Sequence, residues 1–366
     1  VEHTKLAKSL GMTILITDHH EVQEEIPPAD AVVNPRQADC PYPFKHLCGA
    51  AVAYKVICCL YEAYGIPKEE TEEFLEFAGF ATVGDVMDLI GENRILVKEG
   101  LKRLNHTQNV GMASLIRACG LEEKEIKSYH IGFVLGPCIN AGGRLDTAKR
   151  SLNLLLQKDR AKADVMAAEL KALNDERKDM TQTGAEEAIE WIEKEGRSQD
   201  KVLVVYLPDC HESLAGIIAG RIRERYNKPV FVLTDSIDGV KGSGRSIEAY
   251  SMFEEMSKCK ELYTKYGGHP MAAGLSLPKE NVEKFRTFLN EHTTLTEEDF
   301  IPKITIDVPM PIGYVTEHLI EELSVLEPFG KGNEKPLFAE KNLNILSMRI
   351  LGKNRNTLKM QVRSQH

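Results

Sequence analysis

Residues 14–22, ILITDHHEV, place an aspartate and two histidines directly after a run of apolar, β-branched residues. Clustered Asp and His at the end of a strand suit an α/β active site, where ligands gather at the carboxyl ends of strands; a hydrogen-bonded polar strand end is the alternative. Adjacent strand residues point to opposite faces, so one imidazole is expected to ligate an ion and the other to face a substrate. Asp18, His19 and His20 are therefore the first candidates for chemistry, and they need company from elsewhere in the chain.

Asp85, in FATVGDVMDL, ends an apolar helix and is either a second metal carboxylate or a helix N-cap, for which Asp is a preferred residue. Asp88 carries the same ambiguity. Residues 136–148, GPCINAGGRLDTA, combine a glycine pair, Asn140 and Arg144 just before an expected helix. Backbone amides, a helix N-terminus and a guanidinium there would grip a phosphate; a Gly-rich turn with Arg144 in an ion pair is the other reading. In VKGSGRS an extended chain puts Lys241, Ser243 and Arg245 on one face and Gly242 and Gly244 on the other. A solvated edge strand would explain the charges but not the two glycines. In YGGHPMAAG, Gly267, Gly268 and His269 read as a loop, either an anion nest with an imidazole beside it or a tight turn.

The elements that must position these residues alternate along the chain. The pattern predicts a helix over 2–10, strands over 12–17 and 31–33, and a buried helix in CGAAVAYKVICCLYEAYG. Further helices are expected at 69–82, 92–104, 111–119 and 145–157, followed by a long helix over 159–195. A second α/β unit follows: strand KVLVVYL, helix SLAGIIAGRIRERY, strand PVFVLT, the glycine motifs, a helix near 249–257 and one at 279–292. After residue 300, KITIDVPM and then two alternating strands around GKNRN read as the start of a small β-barrel.

At 366 residues the chain is too long for one ordinary core, and 42% hydrophobic with 28% charged residues is a globular composition. No apolar run approaches the ~20 residues of a membrane span, and nothing reads as a signal peptide. The eight cysteines include no CxxC pair, which predicts buried reduced thiols and no zinc site. A net charge of −9 would disfavour an anionic partner, yet from Lys331 onward eight basic residues face two acidic ones. Such a basic module on an acidic body is compatible with nucleic-acid binding. The opening without Met and without an earlier strand to pair beside, and an end just after a strand pattern, read as a fragment.

TDHH, TVGDVMDL, GPCINAGGRLDTA, CHESLAGIIAGRI, GSGRSI and GGHPMAAGLSL, in this order over nearly the whole chain, resemble the DHH phosphoesterase superfamily and, within it, the RecJ family. LEPFGKGNEKPLF is similar to that family's entry into its oligonucleotide-binding barrel. The resemblance implies an α/β fold with a partial DHH domain over 1–158, a connecting helix over 159–196, a DHH-associated substrate-binding domain over 197–295 and the start of an OB-like domain over 301–366. It implies a 5′-to-3′ single-stranded-DNA exonuclease of DNA repair and recombination, located in the bacterial cytoplasm, with a narrow channel selecting single strands. Mn²⁺ or Mg²⁺ would sit in a two-metal site, with His19 and Asp85 as ligands and His20 acting on the scissile phosphate, while Asp18 orients the two histidines. Asn140, Arg144, His211, Ser243, Arg245, Gly267, Gly268 and His269 would hold the substrate. Single-stranded DNA would be the partner, with a single-strand-binding protein and a repair helicase beside it, and no membrane. Two acidic motifs of the family would precede Val1, so the fragment would be inactive alone. Other readings are a phosphoesterase for short oligonucleotides or cyclic dinucleotides, and a non-catalytic DNA-binding relative.

Overall fold

The computed structural model describes every residue except Gln23, Glu24, Asp238, Lys353, Asn354, Gln365 and His366. The chain begins with α1 (Glu2–Ser9), β1 (Leu15–Thr17), β2 (Ala31–Val33), α2 (Gly49–Ala63), a 3₁₀ segment over Lys68–Phe74, α3 (Leu75–Gly84), α4 (Gly91–Leu104) and α5 (Val110–Ala118). Helix then runs unbroken through α6 (Ser128–His130), a π turn over Ile131–Leu135 and α7 (Gly136–Leu145), before α8 (Lys149–Leu156) and the 35-residue α9 (Arg160–Lys194). Next come β3 (Leu203–Tyr206), α10 (Ala215–Tyr226), β4 (Val230–Ser236), β5 (Gly239–Arg245), α11 (Met252–Ser257), β6 (Lys265–His269), β7 (Ala272–Leu277) and α12 (Val282–His292). The chain ends in β8 (Val308–Pro309), α13 (Glu317–Leu323), β9 (Phe338–Ala339), β10 (Asn344–Leu351) and β11 (Thr357–Arg363).

These elements form two compact units. One comprises Val1–Pro137, Gln157–Asp164 and Thr305–His366; the other comprises Cys138–Leu156 and Val165–Ile304. In the first, β1 and β2 pair in parallel, and α3 packs on α4 where Gly79 and Gly100 meet backbone to backbone. A Cβ on Gly100 would stand 2.7 Å from Leu75 O, so side chains are excluded at this crossing and the end of α3 is fixed. The segment around residue 327 is strapped to the same unit: Leu89 N–H donates to Lys331 O at 2.7 Å, Ser128 Oγ–H to Phe329 O at 2.5 Å, and Lys127 pairs with Glu327.

α2 is less buried than its composition suggests. Only Ala51 and Val52 are fully covered, because one face packs toward α3 while Cys59 and Leu60 face outward. The buried-thiol expectation holds for Cys48, Cys138 and Cys259 and fails for the exposed Cys59; among the described residues no disulfide is formed. In the C-terminal region β8 pairs in parallel with β9, and β10 with β11 antiparallel. The expected hairpin turn at GKNRN includes Lys353 and Asn354, which lie outside the described residues.

The second unit is a five-stranded mixed sheet in the order β3-β4-β5-β7-β6. Its parallel pair, β3 and β4, is buried on both faces, as Val- and Leu-rich runs require. On one face Val204, Phe231, Leu233, Leu275 and Phe285 build a core with α11 and α12. On the other, Val205 and Val232 pack with Ile218 and Ile222 of α10 and Ala188 and Ile192 of α9.

The fold bears on three motif readings, and two of them change. The glycine pair of GPCINAGGRLDTA is inside α7 and not in a loop before a helix. Gly142 is needed there for close packing, since a Cβ would meet Ser151 Oγ and Thr147 O at 3.2 Å. Pro137 has no amide proton to donate, so the ladder shifts to a π turn, with Gly136 N–H donating to Ile131 O. Second, Gly239–Arg245 is the central strand β5, as the extended reading of VKGSGRS expects, and the solvated-edge alternative falls away. Third, the Gly267–His269 segment is the edge strand β6, paired with β7 through a two-residue turn, and not a loop. Its amides therefore do not form the free nest expected of a loop.

Candidate functional site

β1 stops at Thr17, so the DHH residues are not part of the strand and strict alternation does not govern them. Asp18 N–H closes onto Val33 O of β2 at 2.9 Å, and the Asp18 carboxylate then accepts from His19 N–H at 2.7 Å and His20 N–H at 3.2 Å. This turn brings the two rings to 4.3 Å between centroids, on the same side, which corrects the expectation of opposite faces. The buried Asn34 fastens the turn by donating from Nδ2 to His20 O at 2.9 Å. Asn34 was not picked out in the sequence; its only signal is its place directly after β2.

The two histidines nevertheless differ in surroundings. His20 Nδ1 lies 2.7 Å from Asp18 Oδ1. Burial alone would raise the Asp18 carboxyl, but hydrogen bonds from the His20 ring and from the two amides outweigh it, and the net shift is downward. An ionised Asp18 can only accept, so the ring proton sits on Nδ1 and Nε2 faces outward on a largely exposed side chain. His19 is more covered. Its ring lies against Gly49 at the start of α2, where a Cβ would come 3.3 Å from Cδ2.

His19 Nδ1 stands 3.8 Å from Asp85 Oδ2. That is too long for a hydrogen bond and near the spacing of two ligands on one ion, since metal–ligand bonds of about 2.1 Å put neighbouring ligands ~3–3.6 Å apart. Asp85 is the residue after the C-terminus of α3, which overturns the N-cap reading. The following residue, Val86, has φ +55°, with Met87 N–H donating to Thr82 O. A β-branched residue in the left-handed region costs ~1–2 kcal/mol, so the turn that aims Asp85 is strained. Asp88 is engaged by Lys331 at 3.0 Å and is not part of this pair. Among the described residues no third His, Cys, Asp or Glu joins His19 and Asp85. A hard divalent ion wants about six ligands, mostly oxygen, so the pair fits one side of such a shell and not a whole one.

In the second unit the substrate candidates are ordered by strand register. Arg245 pairs with Ala272, which pairs with His269; Ser243 with Gly274 and Gly267; Lys241 with Ser276 and Lys265. Residues in one row share a face, so these three rows make a polar surface on β5, β7 and β6. The glycines between them turn inward. A Cβ on Gly242 would collide with Leu233, and one on Gly244 would come within 2.7 Å of the Phe231 ring and Met252 Sδ. A hollow of about 400 Å³ on this surface is lined by Ser213, Thr234, Lys241, Ser243, Lys265 and Ser276. Lys265 and Ser276 were missed in the sequence because only pairing with β7 aligns them with Lys241.

Arg144 and Arg245 both reach the start of α10. Arg144 Nη1 donates to Ser213 O at 2.9 Å, and the Arg245 guanidinium lies against Gly216. Asn140 is one turn before Arg144 on α7 and exposed. His211 caps the segment leading into α10: its Nδ1 lies 2.7 Å from Ser213 Oγ and accepts from Ser213 N–H at 3.3 Å. Gly268 has φ +153°, and a Cβ there would stand 2.5 Å from Ala272 O, so the tight end of the β6–β7 hairpin requires it.

Comparison with known proteins follows the same divisions. Models of the DHH family N-terminal domain, the DHHA1 domain and the RecJ OB domain match residues 1–84, 199–294 and 306–366. The chain is 38% identical over its full length to the single-stranded-DNA-specific exonuclease RecJ of Bacillus subtilis (strain 168), covering 46% of that protein. A crystal structure of RecJ from Thermus thermophilus in complex with Mn²⁺ superposes with a TM-score of 0.86 at 30% identity, covering 98% of this chain and 53% of that one. Another, of exonuclease RecJ bound to manganese, is 31% identical with a TM-score of 0.67, covering 81% of this chain and 74% of that one. The chain belongs to the RecJ family. It spans about half the length of the Bacillus RecJ, and its α/β fold comprises DHH, DHHA1 and OB regions. In this RecJ-family chain the His19–Asp85 pair lies in the DHH region and its immediate continuation, and the polar rows lie in the DHHA1 region.

Proposed function

We propose that this chain is part of a metal-dependent exonuclease that hydrolyses phosphodiester bonds of single-stranded DNA from the 5′ end, acting in repair and recombination. The observation that carries the reading is the convergence of His19 and Asp85, two ligand-type side chains from separate elements, at 3.8 Å. His19 and Asp85 would hold Mn²⁺ or Mg²⁺ together with further oxygen ligands. The bound ion would supply Lewis-acid stabilisation of the phosphate and a more acidic water. Imidazole with carboxylate suits Mn²⁺.

The chain's own residues perform the rest. Asp18 holds the His20 proton on Nδ1, which leaves Nε2 to accept a hydrogen bond from an attacking water or, when protonated, to donate to a phosphate oxygen. Arg144, Ser243, Arg245 and His269 present positive or hydrogen-bonding groups to a phosphate chain, with Asn140, His211, Gly267 and Gly268 beside them. Binding is also supported by the C-terminal hairpin. There Arg349 faces Lys359, and Ser347 faces Gln361, on one side, while Met348, Ile350, Leu358 and Met360 occupy the other. Like charges directly opposite are unfavourable unless an anion covers them. The domain reading is a DHH part over 1–158, the connecting helix over 159–196, a substrate-binding part over 197–295 and the OB region from 301. Among the described residues no helix is long and apolar enough to cross a membrane. A cytoplasmic setting, with single-strand-binding protein and a helicase as partners, belongs to the same proposal.

The test is Mn²⁺-dependent release of mononucleotides from a 5′-phosphorylated single strand by the natural full-length protein. Release that falls at least ~100-fold in His19→Ala is expected. Turnover confined to dinucleotides, or binding without turnover at any Mn²⁺ concentration, would overturn the reading.

A further inference from the structure

Four arginines of the second unit make no ion pair with a carboxylate among the described residues. Arg144 closes α7, Arg177 and Arg221 lie on α9 and α10, and Arg245 ends β5. Each uses a neutral acceptor: Arg144 donates to Ser213 O, Arg177 to Asn174 Oδ1, Arg221 to Gln182 Oε1 and Arg245 to Gly244 O. Among the described residues none of the four has an acid within ion-pairing distance, although most other arginines of the same unit do, such as Arg150, Arg197, Arg223 and Arg286. One link to an acid is indirect, since Gln182 also donates to Glu186.

The placement is electrostatically adverse. The Arg245 guanidinium lies over Gly216, in the first turn of α10, with Nη2 only 2.9 Å from where a Cβ would be, and Arg144 bonds Ser213 just ahead of that helix. A helix N-terminus carries partial positive charge and disfavours cations. Burial first, then repulsion from Arg144, lowers the Arg245 guanidinium from its ordinary value; the same causes, with Arg221, lower Arg177. A half-buried guanidinium at the N-terminus of a helix, repelled by a second guanidinium beside it, is stabilised by an anion that bridges the two.

We propose that Arg177 and Arg221 extend the phosphate grip of Arg144 and Arg245, so that the four together bind consecutive phosphates of one oligophosphate chain. This rests on the nucleic-acid reading for its natural ligand, a single-stranded phosphodiester, but the site itself requires only polyanion chemistry. Arg177 and Arg221 are binding residues here, and the bidentate fork of each suits a phosphate oxygen pair.

Two probes separate the site from the nucleic-acid reading. The first is affinity of this chain for a 3′-fluorescein-labelled, 5′-phosphorylated oligothymidylate across a salt series. Arg177→Gln and Arg221→Gln are each expected to weaken binding ~5–10-fold and to reduce the log–log salt slope by ~0.7, whereas R177K and R221K keep the slope. The second is the shift in melting temperature with inorganic pyrophosphate, expected in the wild type and in R221K and absent in the R177Q/R221Q double variant. Unchanged affinity and slope in both Gln variants would overturn the proposal. Pyrophosphate stabilisation that depends on Arg177 and Arg221 in a chain that ignores oligothymidylate would uphold the anion site and sink the nucleic-acid reading. No response of the wild type to either probe would overturn the site. If R177Q fails to fold, R221Q and R221K decide by the same criteria.

Discussion

The His19–Asp85 corner and the polar rows of the five-stranded sheet are built by different physics. The first is made of two side chains from separate elements, aimed by a turn around Asp18 and by the strained residue after Asp85. The second is printed by register: once β5, β7 and β6 pair, Lys241, Ser243 and Arg245 share a face with Lys265 and His269, and the glycines between them press on Leu233 and Phe231. A corner of this kind depends on each single side chain, whereas a sheet surface distributes its job over several. Single substitutions should therefore be severe in the corner and graded on the sheet.

The largest effect is expected for Asp85→Asn, which keeps the shape and removes the charge. Metal-dependent turnover of the full-length protein should fall at least ~100-fold, with melting temperature nearly unchanged. Asp18→Asn should cost ~10–100-fold and shift the His20 ring proton off Nδ1, visible in the ¹⁵N shifts of that imidazole. The sign of the pH dependence follows from the depressed Asp18 carboxyl. The His20–Asp18 bond is intact above the ordinary carboxylate value and is lost as pH falls through the lowered one, so acid rather than neutral pH should release the ring.

On the sheet, Gly244→Ala drives a methyl group to within 2.7 Å of the Phe231 ring and should destabilise the fold by ~1–3 kcal/mol, read as a lower urea midpoint. Lys265→Ala is the mildest, a two- to fivefold loss of single-strand affinity with a smaller salt slope. A corner substitution as mild as Lys265→Ala, or a single sheet lysine as severe as Asp85→Asn, would break the distinction.

What was legible in the sequence follows the same division. In VKGSGRS the period of two reads out the face directly, because strand geometry fixes it locally. The long helix is equally legible, expected over 159–195 and observed as Arg160–Lys194, because its composition favours helix throughout and Gly184 packs on Ile218 without breaking it. The residue types of TDHH and TVGDVMDL flagged the corner, but not its geometry. Strand alternation predicts opposite faces for His19 and His20, but β1 ends at Thr17, and the Asx turn that follows is set by contacts with β2 and Asn34. Glycine misled in two places. The pair in α7 serves close helix packing, and Gly267 and Gly268 serve an edge strand whose partner is β7. Short-range rules assign both to turns; only tertiary packing reverses them. Arg177 and Arg221 carry no local signal at all, since their meaning lies in what is missing around them.

The central claim is that His19 and Asp85 hold the same ion. Mn²⁺ affinity of the full-length protein, measured by calorimetry for wild type, His19→Ala, Asp85→Ala and the double variant, tests it most directly. Each single substitution should weaken Mn²⁺ binding by ~10-fold or more, and the double variant should lose much less than the sum of the two, since ligands of one ion are coupled. Undiminished Mn²⁺ affinity in either single variant, or strictly additive losses, would contradict it.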